Sequence, residues 1–329
     1  MTHARRYGQE DLGSAAPGDS AAPGDSAACG EAEMTSFDEV YDQPDPRHFF
    51  RVLGHWDYQT PRHAQGLFRR LAAVRTGTAR PRTARAAAPV TVLDICCSYG
   101  INAALLNHNL TLEDLYAHYT SPKAAALTTA ELIEWDRAYY ASHRRSDAHR
   151  VIGLDIAANA ISYALAVGLL DEGFTENLEA APPTPALLRA AQPTLLVTVT
   201  GGASFLSPRT FQPLLAATYE PVWIAALVLR TGSYRHIEDG LAPYGLITEK
   251  AAVPTYPQRR FTSEHEQRYA ITAVTAAGED PRGKETDGYF HTALHLSRPA
   301  KDAAALPLTT LTKDDRRPES VIERDSFRG

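Results

Sequence analysis

Two short apolar runs that each end on an aspartate, Val90-Thr91-Val92-Leu93-Asp94 and Val151-Ile152-Gly153-Leu154-Asp155, constrain this chain more than any other feature. Runs rich in β-branched residues, with no alternation of polar positions, suit strands buried on both faces of a parallel sheet. Leu195-Leu196-Val197-Thr198-Val199 and Val222 to Leu229 repeat the pattern. Helical spacings separate the runs: Tyr99 to Leu106, then Asn159 to Leu170 with Ile161, Ala164, Leu165, Gly168 and Leu169 on one face. Strands alternating with helices predict an α/β fold with a doubly wound, mostly parallel sheet covered on both sides. Ile247 to Val253 and Tyr289 to Leu296 read as the last strands. Between them Ser263-Glu264-His265-Glu266 matches a capping box that opens a helix ending before Gly278.

The segments around this core divide the chain. Residues 1–36 carry the tandem repeat Ala15-Ala16-Pro17-Gly18-Asp19-Ser20 and Ala21-Ala22-Pro23-Gly24-Asp25-Ser26, which has almost nothing apolar to bury and reads as a disordered tail. Residues 37–88 read as a helical cap of two short helices broken at Pro61, followed by a linker from Arg75 that also carries Arg80, Arg82 and Arg85. The α/β domain takes residues 89–299, and 300–329 reads as a C-terminal tail ending in Lys313-Asp314-Asp315-Arg316-Arg317. The 329 residues carry a formal charge of −6, which argues against a nucleic-acid backbone as the main partner and favours a small-molecule substrate. The N-terminus has no apolar signal-peptide core, and no apolar run approaches the roughly 20 residues of a membrane span. A cytoplasmic protein is expected. The 3 cysteines, Cys29, Cys96 and Cys97, have neither a disulfide framework nor a zinc-ligand spacing, so no metal is expected.

The chemistry concentrates after the first strand. A strand ending in an acid, then a tight turn that ends in Gly and opens a helix, offers backbone N–H groups to a ligand. Here the turn is Asp94-Ile95-Cys96-Cys97-Ser98-Tyr99-Gly100. The acid ending the second strand, Asp155, is placed to accept hydrogen bonds from ribose hydroxyls. Together these features resemble the class I S-adenosylmethionine-dependent methyltransferase superfamily, whose first motif runs D-x-G-x-G-x-G, and the resemblance spans about Val90 to Pro299. Cys96 and Ser98 stand where that motif commonly has its first two glycines. The resemblance implies a seven-stranded Rossmann-like methyltransferase fold and S-adenosyl-L-methionine as cofactor. By position, Asp94, Cys96, Ser98, Tyr99 and Gly100 would line its methionine end, Asp155 would hold the ribose, and Asn177 or Glu176 would meet the adenine. Thr200 and Gly201 would lie beside the reacting centre.

The interval from Asp94 to Asp155 exceeds the roughly 30 residues of a plain βαβ unit. A helical insert over residues 109–150 is therefore expected, with helices around Thr111 to Tyr119 and Thr128 to Ser142, climbing back to the ligand end and descending again. It holds Tyr116, Tyr119, Tyr139 and Tyr140, which are packing residues on the plain reading and sulfonium-facing rings on the functional one. Tyr58, Tyr116, Tyr139 and His236 are candidate catalytic residues, His265 a further candidate base, and Tyr41 and Gln59 candidate contacts from the cap. Adjacent Cys96 and Cys97 read as inert small residues. The reaction expected is methyl transfer to a small molecule, which needs orientation and exclusion of water more than a catalytic triad. Two alternatives share the fold: attack on the methionine chain, as in azetidine-2-carboxylate synthases or aminocarboxypropyl transferases, and non-catalytic cofactor binding. The oligomeric state is open, a homodimer included.

Overall fold

The computed structural model describes residues 34–78 and 90–312. The tandem repeat, Cys29, Arg80, Arg82, Arg85 and the charged stretch from Lys313 lie outside the described residues. Eight strands form one sheet: β1 (Thr91–Ile95), β2 (Arg150–Leu154), β3 (Glu172–Phe174), β4 (Thr194–Thr200), β5 (Trp223–Leu229), β6 (Leu246–Lys250), β7 (Tyr256–Arg260) and β8 (Tyr289–Pro299). Their order is β3-β2-β1-β4-β5-β8-β6, and β7 also pairs with β8. The first five strands run parallel. β8 runs antiparallel to β5 on one side, and on the other to β6 and then β7. The doubly wound sheet expected from the apolar runs is thus present, with β7 as a strand the sequence reading did not anticipate.

Why the strands read as unbroken apolar runs is visible in β1, where every residue is buried. Val92 joins the core under the N-terminal helices, whereas Leu93 and Ile95 join the core of the opposite face. The first core is covered by α1 (Arg47–His55), α2 (Thr60–Thr78), α3 (Ile101–Asn107) and the insert helices α4 (Leu112–Tyr119), α5 (Pro122–Ala126) and α6 (Thr129–His143), with α7 (Ala158–Ala166) beside them. The second is covered by α8 (Pro185–Ala191), α9 (Pro208–Ala217) and α10 (Arg235–Leu241). α11 (Glu264–Ala276) precedes β8; the Ser263 side chain accepts from the Glu266 N–H as the capping signal predicts. The Glu266 carboxylate turns instead to Arg259, so the cap is one-sided.

Three boundaries move. Pro61 does not break a helix; it occupies the first turn of α2, where its missing N–H costs nothing. Arg75 is not in a linker but buried in α2, its guanidinium donating to the Leu195 and Pro221 carbonyls. Residues 300–312 do not trail away either. They form α12 (Ala300–Ala305) and α13 (Leu308–Leu311), with Leu311 buried and Asp302 accepting the Trp223 indole N–H at 2.8 Å.

The insert folds as two capped helices joined by a short one. Thr111 and Thr128 each cap a helix and each closes a reciprocal capping box, with Asp114 and Glu131. The base of the excursion is closed by a bridge between His108 and Arg144. Its far end meets the N-terminal cap: Arg47 donates to the Ala124 and Leu127 carbonyls, and Thr129 to Asp45.

Candidate cofactor site

Ligands of open, doubly wound sheets bind outside the carboxyl ends of the strands where the winding reverses. Here that point lies between β1 and β4, so the residues leaving these strands, 96–100 and 201–202, form the two lips of the crevice. The turn after β1 contains three residues in the left-handed region: Cys96 at φ 57°, Ser98 at 49° and Gly100 at 74°. Side-chain-bearing residues adopt this conformation at a cost of roughly 1–2 kcal/mol. Cys96 and Ser98 thus hold the backbone conformation natural to the glycines they replace.

What holds the turn is internal pairing. The Cys96 and Cys97 N–H groups donate to the Leu154 carbonyl at 2.8 and 3.4 Å, and Gly100 N–H to the Cys97 carbonyl at 3.0 Å. Asp155 accepts from the Ser98 N–H at 2.8 Å and from the Ala157 N–H at 3.0 Å. The sequence suggested that these N–H groups would be free for a ligand; they are instead engaged within the protein. What the turn does present is the Ser98 hydroxyl, buried and without a partner. Gly100 has a different task as well: a β-carbon there would lie 3.2 Å from Leu169 and 3.3 Å from Ala164, so it lets α7 and its following loop pack against the turn.

Beneath the turn, Asp94 is fully buried and accepts from the Thr198 hydroxyl at 2.7 Å. The Asn102 amide donates to both Asp94 oxygens, at 3.1 and 3.2 Å, and to the Thr200 hydroxyl at 2.8 Å. Burial pushes the Asp94 carboxyl up to about 7, against the lowering effect of these hydrogen bonds. Asn102 Oδ1 itself is buried with no partner. Asn102 and Thr198 were missed in the sequence. An asparagine inside the apolar run Ile101 to Leu106 was the available signal, because a polar side chain on a fully buried helix must be paired.

The opposite lip is Gly201, at φ 81°, whose missing β-carbon leaves 3.4 Å to the Tyr58 hydroxyl. Gly202 faces Cys96: a β-carbon on it would lie 2.5 Å from the Cys96 Cβ. Over this crevice passes the segment before α1. Tyr99 accepts from the Gln43 N–H at 2.8 Å and donates to the Gln43 carbonyl at 2.9 Å, and Asn159 donates to Asp42 through backbone and side chain. Tyr41 lies in the same segment, within electrostatic reach of Asp155 and Arg259, and burial pushes its phenol up to about 12. Burial likewise holds the Cys96 thiol up at about 12 and raises the Tyr58 phenol well above its ordinary value. All three are protonated at neutral pH. The Gln59 N–H donates to the Gln258 carbonyl at 2.7 Å, which ties the cap to β7; Gln258 Oε1 is buried and unpartnered.

The remaining candidates fall elsewhere. Tyr116 reaches the site only indirectly, donating to the Tyr58 carbonyl at 2.7 Å. Tyr119 joins a buried network with Tyr140 at 2.8 Å and Tyr163 at 3.2 Å, and Tyr163 and His118 both bond Asp136. Tyr139 stacks on His118 at 4.0 Å. These rings are the framework of the insert, as the plain reading held. His236 is exposed and its Nε2 donates to the Leu206 carbonyl at 3.0 Å, while His265 is half-buried in the first turn of α11. Asn177 is exposed and accepts from the Glu179 N–H; Glu176 is bonded to Thr184. Among the described residues no group of three or more His, Cys, Asp or Glu side chains could hold a metal, and no helix is long and apolar enough to cross a membrane.

No protein-family model matches the chain, and no curated protein matches it. Solved structures do. The plantazolicin methyltransferase BpumL in complex with SAH is 9% identical, covering 80% of this chain and 93% of that one, with a TM-score of 0.37. Magnesium protoporphyrin IX methyltransferase (ChlM) from Synechocystis PCC 6803 with bound SAM is 10% identical, with 72% and 80% covered and a TM-score of 0.32. A TehB-like SAM-dependent methyltransferase from Corynebacterium glutamicum ATCC 13032 Kitasato is 13% identical, with 68% and 85% covered and a TM-score of 0.31. At such values the fold assignment stands on the strand order and not on the likeness.

Proposed function

We propose that this chain is an S-adenosylmethionine-dependent methyltransferase acting on a small molecule, with the cofactor held in the crevice between β1 and β4. The observation that carries the reading is the backbone of the turn: left-handed residues at Cys96, Ser98 and Gly100, clamped by the acid that ends β2. The unpaired polar atoms beside it suit the groups of that cofactor. Asn102 Oδ1, buried on the amide whose nitrogen bonds Asp94, is an acceptor for an ammonium, and the Ser98 hydroxyl is a donor for a carboxylate. The Asp155 oxygens retain lone pairs for ribose hydroxyls, and the residue is half-buried at the crevice edge. The rings of Tyr58 and Tyr41 supply π-faces of the kind that attract a sulfonium.

When bound, the cofactor supplies a methyl group already activated by the sulfonium charge. The protein's own part is then positioning. Gly201 brings the β4 lip close to Tyr58, Asp155 fixes the turn, and the segment carrying Tyr41 and Gln43 shields the crevice from water. Because Tyr41, Tyr58 and Cys96 stay protonated, no base is built into the crevice from these groups. The acceptor suited to such a site is one that attacks without prior loss of a proton at neutral pH. One observation favours the second reading, attack on the methionine chain by its own amino group. Asp94, buried beneath the turn with its carboxyl near 7, stands between its two protonation states at neutral pH and so can take up the proton that such an attack requires the ammonium to lose.

Product analysis separates the two. The purified protein is incubated with S-adenosylmethionine, alone and with a panel of amine, hydroxyl and carboxylate acceptors, and every product is identified by mass. Acceptor-dependent S-adenosylhomocysteine is expected, lost in Asp155→Ala. Methylthioadenosine formed from the cofactor alone, above the spontaneous rate and abolished by Asp94→Asn, would replace methyl transfer with cyclisation. Binding without turnover would leave only a cofactor-binding module.

A further inference from the structure

A cavity of about 330 Å³ opens where β5, β6 and β8 meet the first turn of α10 and the end of α11. Its lining shares no residue with the turn after β1, with Asp155 or with Gly201 and Gly202. The volume is at the lower end for ligand pockets.

Two polar atoms in its wall lack partners. Tyr234 is only 3% exposed and its hydroxyl has no partner at full hydrogen-bond geometry; it has only the weak company of the Ser297 hydroxyl, which is itself engaged with Thr248 at 2.8 Å. His295 Nδ1 is also buried and unpartnered, in a ring 4.8 Å from that of Tyr234. Burial and the nearby Lys250 ammonium push the imidazole down to about 4, so it is neutral at physiological pH. Leaving such groups unpaired is costly, and buried polar atoms without partners call for an explanation.

The charges around the cavity cancel. Arg230 donates to Glu279 at 2.8 Å, to both Glu285 oxygens at 2.9 and 2.6 Å, and to the Asp280 carbonyl at 2.9 Å. Lys250 pairs with the same Glu279. Arg235 and Glu238, one positive and one negative, line it from the start of α10. An added anion would meet Glu238 and Glu279 with no surplus cation to receive it. A hydroxyl or amide, by contrast, can donate and accept at once and so serve both Tyr234 and a neutral imidazole.

We propose that this cavity is a second ligand site, separate from the crevice, for a small net-uncharged molecule bearing a hydroxyl or an amide. The probes are ethanol, glycerol and acetamide, with inorganic phosphate as the anionic control. Each is titrated into full-length protein labelled at histidine and tyrosine and followed by NMR, with and without S-adenosylhomocysteine. At least one uncharged probe should shift the His295 and Tyr234 resonances saturably, with or without S-adenosylhomocysteine, and phosphate should not. Tyr234→Phe keeps the ring and removes the hydroxyl, so it should fold normally and bind that probe about tenfold more weakly. The proposal fails if none of the three uncharged probes saturates, if phosphate alone binds, if Tyr234→Phe binds as tightly as the native chain, or if S-adenosylhomocysteine abolishes the shifts.

Discussion

Gly202→Ala tests whether the two lips of the crevice are fitted to one another. A β-carbon on Gly202 would come within 2.5 Å of the Cys96 Cβ and nearer still to its sulfur. Gly202 sits at φ −95°, which alanine adopts freely, so the cost is steric rather than conformational. Overpacking of this kind costs about 1–3 kcal/mol. Cys96→Gly removes both colliding atoms. It also places glycine at φ 57°, relieving left-handed strain of roughly 1–2 kcal/mol while adding about 0.5–1 kcal/mol of chain entropy. Alone, Cys96→Gly should therefore sit within about 1 kcal/mol of the native chain, the lost burial of the thiol included. The double variant should resemble Cys96→Gly, giving a coupling energy of about 1–3 kcal/mol across the crevice. Urea unfolding of the four proteins measures it, and calorimetry with S-adenosylhomocysteine should show binding lost in Gly202→Ala and restored in the double variant. Additivity within about 0.5 kcal/mol would mean that the lips do not touch and would refute the reasoning.

Three other outcomes follow from the same geometry. The folded chain binds a proton at Asp94 more tightly than the unfolded one, since the carboxyl moves from 3.8 up to about 7. Its stabilising contribution is thus full below about pH 4 and lost as pH rises through 7, on the order of 4 kcal/mol at about 1.4 per pH unit. Asp94→Asn should flatten that part of the stability profile; parallel unfolding curves for both proteins between pH 4 and 7.5 would contradict it. Asp155→Ala releases the Ser98 and Ala157 N–H groups and should cost about 1–3 kcal/mol of stability together with at least tenfold in cofactor affinity by calorimetry. An unchanged melting temperature would show that the turn holds itself. A stop codon after Pro299 removes the Asp302 bond to Trp223 and the buried Leu311, so thermal unfolding should register a loss of about 3 kcal/mol, whereas a true tail would register none.

The strands β1, β2, β4 and β5 were legible because burial on both faces leaves no polar position to disguise them. β7 was not, because Tyr256-Pro257-Gln258-Arg259-Arg260 has neither an apolar run nor alternation. It pairs only with the upper part of β8, and it buries Arg259 by giving its guanidinium to Glu266 and the faces of Phe37 and Phe290. Residues 300–312 were misread for a related reason. Their few apolar side chains matter only because Trp223 and α2 stand beside them, a fact that no local pattern contains.

The site shows the same limit at closer range. Its position could be read from the two strand-ending acids, but its conformation could not, since a φ angle is not a property of the residue type. Cys96 and Ser98 stand where glycines are usual, and nothing in their side chains announces the backbone they adopt. Both residues take the left-handed conformation, and the space for Cys96 is found across the crevice, where Gly202 has no side chain. The missing glycine of the turn is thus matched by a glycine on the facing lip. A sequence reading confined to one motif sees the first change and not the second, because the two residues are neighbours only once β1 and β4 lie side by side.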